Sequence, residues 1–335
     1  MKVAVLGSGA WGTALAQVLV DNKHDVTIYG IVKSQVEDIQ QRHINSAYFQ
    51  LITFPSELKA TMDINEAVKD ADVVIIAVPT FAVASTTAQI DNLIKKDAIL
   101  VTVSKGFDPN THDLMGDIIK KNLTTYHPIV VLAGPSFAIE VVKRELTTVT
   151  AASYDEKAAE TIQKIFSNDY FRVYTNDDEI GAEICGAMKN IIALASGICA
   201  GMGYGTNARS GLITRGLVEM SHFVRKLGGK VETIYGLTGV GDLILTCSSM
   251  ESRNFQVGNA IGRSLDAKSV LANNKLTAEG VKASQILHEK AKKYKVDMPI
   301  CEAVYETLYE NKNPKDLVQE LMHRPLRSEK YLLED

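Results

Sequence analysis

The chain has 335 residues, with 36 Lys or Arg against 40 Asp or Glu and a net charge of −4. That length suggests about two domains. The two signs are mixed along the chain, which excludes a nucleic-acid-binding basic stripe and a disordered acidic tail.

Residues 1–6 read as a strand, and Gly7-Ser8-Gly9-Ala10-Trp11-Gly12 follows at once. Residues 13–19 then run on with helical spacing. Glycines so placed, between strand and helix, suit a dinucleotide pyrophosphate. Gly7 permits the tight turn, Gly9 lets the backbone approach the phosphates, and Gly12 lets helix pack closely on strand. The amides at the helix start hold the negative charge.

Residues 25–29 read as a second strand, whose end selects the cofactor. A carboxylate there favours NAD by holding the ribose hydroxyls. This chain has Tyr29-Gly30-Ile31-Val32-Lys33-Ser34 instead. Lys33 and Ser34 can meet a 2′-phosphate, which tilts the expectation slightly to NADPH over NADH. The alternative is that Lys33 is an ordinary solvated residue and both cofactors are used.

Residues 73–78 are an unbroken apolar run, the mark of a strand covered on both faces, and far too short to span a bilayer. Residues 99–103 and 129–132 are further strands, and 147–152 and 171–174 extend the sheet. The strand–helix alternation predicts an α/β domain over residues 1–180, a Rossmann-like, doubly wound and mostly parallel sheet. Ligands of such sheets bind beyond the carboxyl ends of the strands. Val78-Pro79-Thr80 is expected there on the nicotinamide side. Lys105, in Ser104-Lys105-Gly106-Phe107, suits an anionic substrate or a polarised carbonyl; otherwise it is a plain loop lysine. The amides of Gly134-Pro135-Ser136-Phe137-Ala138 can complete the same mouth.

From about Asp177 the character turns helical, and residues 181–335 are expected to form an all-helical domain for substrate binding and catalysis. Residues 179–200 are apolar on nearly every face, which predicts a buried helix. Residues 278–294, 300–309 and 314–322 read as amphipathic helices. Lys189 lies inside the apolar helix with no acidic residue three or four positions away. A buried ammonium is costly unless paired, so Lys189 is a candidate for proton transfer; the alternative is a lysine that snorkels to water. Asp242, in Gly239-Val240-Gly241-Asp242-Leu243, is either a helix N-cap or the carboxylate that orients Lys189. Ser252-Arg253-Asn254 is a compact polar cluster in which the arginine fork suits a phosphate; a surface turn is the plain alternative.

The cysteines at 185, 199, 247 and 301 are widely spaced, and the histidines form no metal-ligand pattern, so no metal site is expected. Free thiols in the cytoplasm are the simplest reading. No secretory signal opens the chain.

Taken in order, several segments resemble the bacterial soluble NAD(P)-dependent glycerol-3-phosphate dehydrogenases over nearly the whole chain. They are residues 7–16, Val103-Ser104-Lys105-Gly106, residues 134–138, Met188-Lys189-Asn190, Gly239-Val240-Gly241-Asp242-Leu243, Ser252-Arg253-Asn254 and Thr277-Ala278-Glu279-Gly280. The resemblance implies reversible reduction of dihydroxyacetone phosphate to sn-glycerol 3-phosphate by NADPH or NADH, supplying phospholipid synthesis. It implies a cytoplasmic homodimer with small-molecule partners, no nucleic acid and no membrane insertion. By the same resemblance Lys189 is the proton donor and acceptor. Lys105 and Asp242 complete the polar shell around the reacting carbon, with Asn190 and Thr246 close by. Ser252, Arg253 and Asn254 would hold the substrate phosphate, beside Gly134 and Ser136. Ala10, Trp11, Lys105, Ala138, Arg253 and Glu279 would contact the dinucleotide. One departure is visible: many members carry Arg or His where this chain has Ile31-Val32. A hydroxy-acid dehydrogenase of the same plan is the second reading, and a non-catalytic dinucleotide sensor the third.

Overall fold

A computed structural model of the chain describes residues 1–273, 278–326 and 328–329. Thr277, which opens the last family-like segment, lies outside the described residues. The chain forms two compact units, Met1–Glu183 and Ile184–Asp335.

The first unit begins β1 (Lys2–Leu6), α1 (Ala10–Asp21), β2 (Asp25–Tyr29), α2 (Lys33–Glu37), β3 (Lys59–Thr61) and α3 (Ile64–Val68). It continues β4 (Val73–Ile76), α4 (Thr80–Ile90), β5 (Ile99–Thr102), α5 (Met115–Lys121) and β6 (Ile129–Ala133). Next come α6 (Ala138–Val142), β7 (Thr147–Ala152), α7 (Glu156–Phe166) and β8 (Phe171–Asn176). The strands make one 8-stranded sheet in the order β3-β2-β1-β4-β5-β6-β7-β8. From β3 to β6 every pairing is parallel; β7 runs antiparallel to β6, and β8 parallel to β7. The doubly wound, mostly parallel sheet expected from the sequence is therefore present. The short β3 was not foreseen, because its three residues are too few to carry a pattern.

Alternation along each strand divides the side chains between two layers. Val3 and Val5 of β1, with Val73 and Ile75 of β4, meet Leu15, Leu19, Ile162 and Phe166 from α1 and α7. Ala4, Leu6, Val74 and Ile76 face the other way, onto Val83, Ile90, Met115 and Ile119 from α4 and α5. A strand covered on both faces has no polar side, which is why residues 73–76 are apolar throughout. β4 ends at Ile76, short of residue 78, as the chain enters the loop with Pro79, which has no N–H for a ladder.

In the second unit α8 (Glu179–Gly201), whose first turn belongs to the first unit, is followed by α9 (Thr206–Lys226), α10 (Asp242–Ser248) and α11 (Arg253–Ser264). Then come α12 (Ala267–Asn273), α13 (Glu279–Tyr294), α14 (Pro299–Tyr309) and α15 (Pro314–Met322). No strand occurs among the described residues here. The buried helix expected over residues 179–200 is α8, which by length and apolarity alone could cross a bilayer, with a window of mean hydropathy 1.5. Of that window 89% is buried inside the protein, so it is a core helix.

Glycines fix how α8 packs. A Cβ at Gly197 or Gly201 of α8 would lie 2.3 Å from the Phe255 oxygen or 2.2 Å from the Asn259 oxygen of α11. A Cβ at Gly258 or Gly262 of α11 would lie 2.2 Å from the Leu194 oxygen or 2.1 Å from the Ile198 oxygen of α8. Each helix thus offers two glycines one turn apart, and the backbones touch directly. Gly216 of α9 is similarly pressed on Ile192.

Glycine to alanine inside a helix ordinarily stabilises by about 1 kcal/mol. At Gly258 the sign should reverse, because a methyl group cannot fit; Gly258→Ala is expected to destabilise by about 2 kcal/mol or more. Gly211→Ala on α9, where nothing lies within 4 Å of the added carbon, keeps the ordinary sign. Denaturant titration of both variants checks the contrast, and stabilisation by both would refute the close contact.

Candidate active site

The first unit supplies a dinucleotide-shaped turn. Gly7 has φ +127°, and a Cβ there would be 2.5 Å from the Ala77 oxygen, so it is glycine for two reasons. At Gly12 the added carbon would be 2.2 Å from the Gly7 oxygen, so α1 sits directly on the turn. At Gly9 nothing lies within 4 Å. Gly9 is also the N-cap of α1, and no side chain caps it. The first helix amides thus keep their donors for an anion, beside an open glycine surface. These features fit a pyrophosphate. Ala10 and Trp11 open the helix, half-buried beside the turn.

Lys33 is the first residue of α2, two before Gln35, to which Ser8 Oγ of the turn donates at 2.8 Å. Its ammonium is 3.6 Å from Glu37 one turn on and its side chain 76% exposed. Such a pair contributes little and opens readily. Ile31 and Val32 are exposed as well.

The loops beyond β4, β5 and β6 are tied to one another. Ser104 Oγ donates to the Val78 oxygen at 2.6 Å. Lys105 Nζ is 3.5 Å from the Gly134 oxygen, to which Ser136 Oγ also donates at 3.0 Å. Gly134 has φ +149° and presses against Val149 of β7, so its own glycine requirement is structural. Ala138 is the first residue of α6. Lys105, Gly134 and Ser136 are therefore brought together at the carboxyl ends of adjacent strands, where ligands of such sheets bind.

The second unit holds the charged chemistry. Lys189 is 6% exposed and Asp242 1%. Lys189 Nζ donates to Asp242 Oδ1 at 2.5 Å and to Thr246 Oγ1 at 3.2 Å. Snorkelling to water is ruled out. So is capping by Asp242: the N-cap of α10 is Gly241, and Asp242 is the first residue of the helix, aimed at the lysine. Thr246, one turn later, donates to the Asp242 oxygen at 2.6 Å, which sets its hydroxyl beside the pair. Gly239 admits the tight turn before α10, since a Cβ there would lie 2.0 Å from the Ile234 oxygen.

A second network starts at the neighbouring residue. Asn254 Nδ2 donates to Asn190 Oδ1 at 3.0 Å, and Gly280 N–H donates to Asn254 Oδ1 at 2.9 Å. Asn190 Nδ2 lies 3.4 Å from Glu279 Oε2. These contacts join α8, α11 and the start of α13. Ser252 is the N-cap of α11, accepting from the Phe255 N–H at 3.3 Å. Within the cluster at 252–254, then, Ser252 and Asn254 are buried and engaged, whereas Arg253 is exposed at the helix start.

Sequence reasoning missed two acids one turn apart at the start of α8. Glu179 pairs with Lys120 Nζ at 3.1 Å, at the end of α5. Glu183 accepts from the Gly116 N–H at 2.8 Å, at its beginning. Together they clamp α5, and the loop before α5 carries Lys105. Two carboxylates at (i, i+4) leading an otherwise apolar helix were a readable signal. Burial pushes the Glu183 carboxyl up to about 8, against the lowering effect of the Gly116 hydrogen bond.

Comparison with known proteins gives a consistent result. Residues 2–159 match the family model for the NAD-dependent glycerol-3-phosphate dehydrogenase N-terminus, and residues 178–319 match that for the C-terminus. The chain is 46% identical over 331 residues to a glycerol-3-phosphate dehydrogenase (NAD(P)+) of Listeria innocua, covering 98% of each. It is 43% identical over 330 residues to the corresponding enzyme of Streptococcus agalactiae, with the same coverage. Among solved structures it is similar to glycerol-3-phosphate dehydrogenase from Coxiella burnetii, at 36% identity and TM-score 0.90, covering 96% of this chain and 98% of that one.

The raised Glu183 carboxyl gives a pH prediction. A folded value of about 8 against a usual 4.5 means the folded state holds the proton more tightly. Its contribution to stability is complete below about pH 4.5 and is lost as pH rises through about 8. Glu183→Gln keeps an acceptor for Gly116 and cannot ionise. It should match the native protein near pH 5 and exceed it by about 1 kcal/mol or more near pH 9. Thermal unfolding across pH checks this; a difference independent of pH would contradict it.

Proposed function

The chain belongs to the NAD-dependent glycerol-3-phosphate dehydrogenases, and from that membership we propose how its own residues divide the work. The activity is the interconversion of dihydroxyacetone phosphate and glycerol 3-phosphate with NADH or NADPH, an oxidoreductase reaction whose product feeds lipid synthesis. When bound, the reduced nicotinamide supplies the hydride for the carbonyl carbon.

Lys189 gives a proton to the carbonyl oxygen as it becomes a hydroxyl, and takes it back in the oxidative direction. Asp242 holds the ammonium in place and balances its charge, and Thr246 fixes the direction of both. The single observation behind this reading is the sealed Lys189–Asp242 pair, which costs stability and makes sense as working machinery. By the family resemblance Lys105, within the strand-end loops that carry Gly134 and Ser136, serves to polarise a substrate carbonyl. Arg253 supplies a guanidinium fork for the substrate phosphate at the start of α11, with Ser252 and Asn254 fixing the helix start around it. Gly7, Gly9, Ala10, Trp11 and Gly12 hold the pyrophosphate, and Ala138 and Glu279 add further cofactor contacts.

NADPH is favoured slightly and NADH is also used: Lys33 is free to leave its weak partner Glu37 for a 2′-phosphate, yet nothing rigid holds it there. Four buried cysteines outside any disulfide suit the reducing cytoplasm, and a homodimer follows from the family resemblance.

The test is cofactor oxidation with dihydroxyacetone phosphate. Lys189→Ala should lower kcat by about 10²–10⁴-fold. Arg253→Ala should raise KM for the phosphate substrate by roughly 10-fold or more. Lys33→Ala should narrow the preference between NADPH and NADH. No turnover by the native protein with either cofactor would overturn the activity, and full activity in Lys189→Ala would overturn the proton route.

A further inference from the structure

The peptide between Ser8 and Gly9 lies at the centre of the glycine turn. In a trans peptide the C=O and N–H point in opposite directions, and the described chain has no cis bonds. Whatever fixes the Ser8 carbonyl therefore also aims the Gly9 amide. Sterics alone do not fix it. A flip of this peptide changes φ at Gly9, and glycine accepts either sign without penalty.

The fixing group is Asn45, which is 37 residues away in sequence and fully buried. Its Nδ2 donates to the Ser8 oxygen at 2.9 Å and to Thr13 Oγ1 at 3.0 Å. Thr13 Oγ1 in turn approaches the same Ser8 oxygen at 3.5 Å. On the other side of the residue, Ser8 Oγ donates to Gln35 Oε1 at 2.8 Å. Asn45 is itself mounted firmly. Its backbone carbonyl accepts the N–H groups of Tyr48 and Phe49, at 3.0 and 2.8 Å, and Phe54 N–H donates to the His43 carbonyl at 2.7 Å. Phe49 and Phe54 are each 3% exposed and meet edge to face, which staples the segment into the core. Asn45 Oδ1 has no donor among the described residues. A buried amide kept with one end unsatisfied costs stability, so packing alone does not account for it.

We propose that Asn45 is a positioning residue for the cofactor: by holding the Ser8 carbonyl inward, it turns the Gly9 N–H outward to the dinucleotide pyrophosphate. The inference rests on the reading of the glycine turn as the pyrophosphate site. Asn45 itself touches no ligand, and its effect passes through one peptide plane. It lowers the cost of binding by presenting the donor already aimed.

The chain has a single tryptophan, Trp11, at the turn itself. Its quenching by NADPH measures binding directly. In Asn45→Ala and Asn45→Asp the dissociation constant for NADPH should rise about 10-fold or more. The kcat at saturating NADPH and the KM for dihydroxyacetone phosphate should stay within about 2-fold. An unchanged NADPH affinity in either folded variant overturns the proposal, as does an equal rise in both KM values, which a merely structural role would give. On the native protein, the Gly9 amide resonance should shift when NADPH is added. Its constancy in a protein that binds NADPH overturns the proposal however the variants fold. A native protein that does not bind NADPH would instead overturn the reading of the turn.

Discussion

A lysine ammonium and an aspartate carboxylate, both nearly sealed from water, meet at 2.5 Å in the second unit. Removing two ions from water costs several kcal/mol each, and their attraction returns it only when geometry is good and further hydrogen bonds are made. The surrounding structure supplies those conditions. Asp242 stands at the first position of α10, with Thr246 one turn later to bind both partners. Lys189 stands in α8, where residues 181–199 are all buried. That burial depends on glycine: α11 touches the α8 backbone at Gly197 and Gly201, and Gly280 brings the start of α13 to 2.6 Å from the Asn190 oxygen, counting an added Cβ. Larger residues at these places would push the helices apart and admit water to the pair.

The two units use different means for different charges. In the proposed reading the first unit holds an anion with backbone: an uncapped helix start, an open glycine and a Ser8 carbonyl bonded by Asn45. The second uses formal charge, on Lys189, Asp242 and Arg253. Backbone donors bring no counter-charge and need no desolvation of an ionic side chain, so the cofactor half can be built from small residues. The proton transfer proposed for Lys189 needs an ionisable group, which must carry its desolvation cost. Lys105 belongs to the first unit but is charged, and it is correspondingly well mounted, on loops tied by Ser104 and Ser136 and next to a helix clamped by Glu179 and Glu183.

Much of this was legible in the sequence where the signal is local. The run at 73–76 announces a strand covered on both faces because both faces really are covered. Gly7, Gly9 and Gly12 carry three separate constraints at their correct spacing. The apolar length of 179–200 announces burial, and Lys189 is conspicuous in it. What was hidden is pairing at a distance. Lys189 and Asp242 are 53 residues apart, and Asn45 and Ser8 37; no periodicity connects such partners. β3 is a strand because β2 offers it an edge, not because of its own three residues. Glu183 was readable but passed over, since an acid at a helix start resembles an ordinary first-turn residue until its burial is known.

The most direct test of the Lys189–Asp242 unit is a double-mutant cycle with Lys189→Met and Asp242→Asn, reading kcat and thermal stability together. Each single change should lower stability by about 3–5 kcal/mol by leaving the other charge buried alone. The double variant should recover part of that loss, while its kcat falls little further than in Lys189→Met. Losses that simply add, in both activity and stability, would contradict the claim that the two residues act as one catalytic pair.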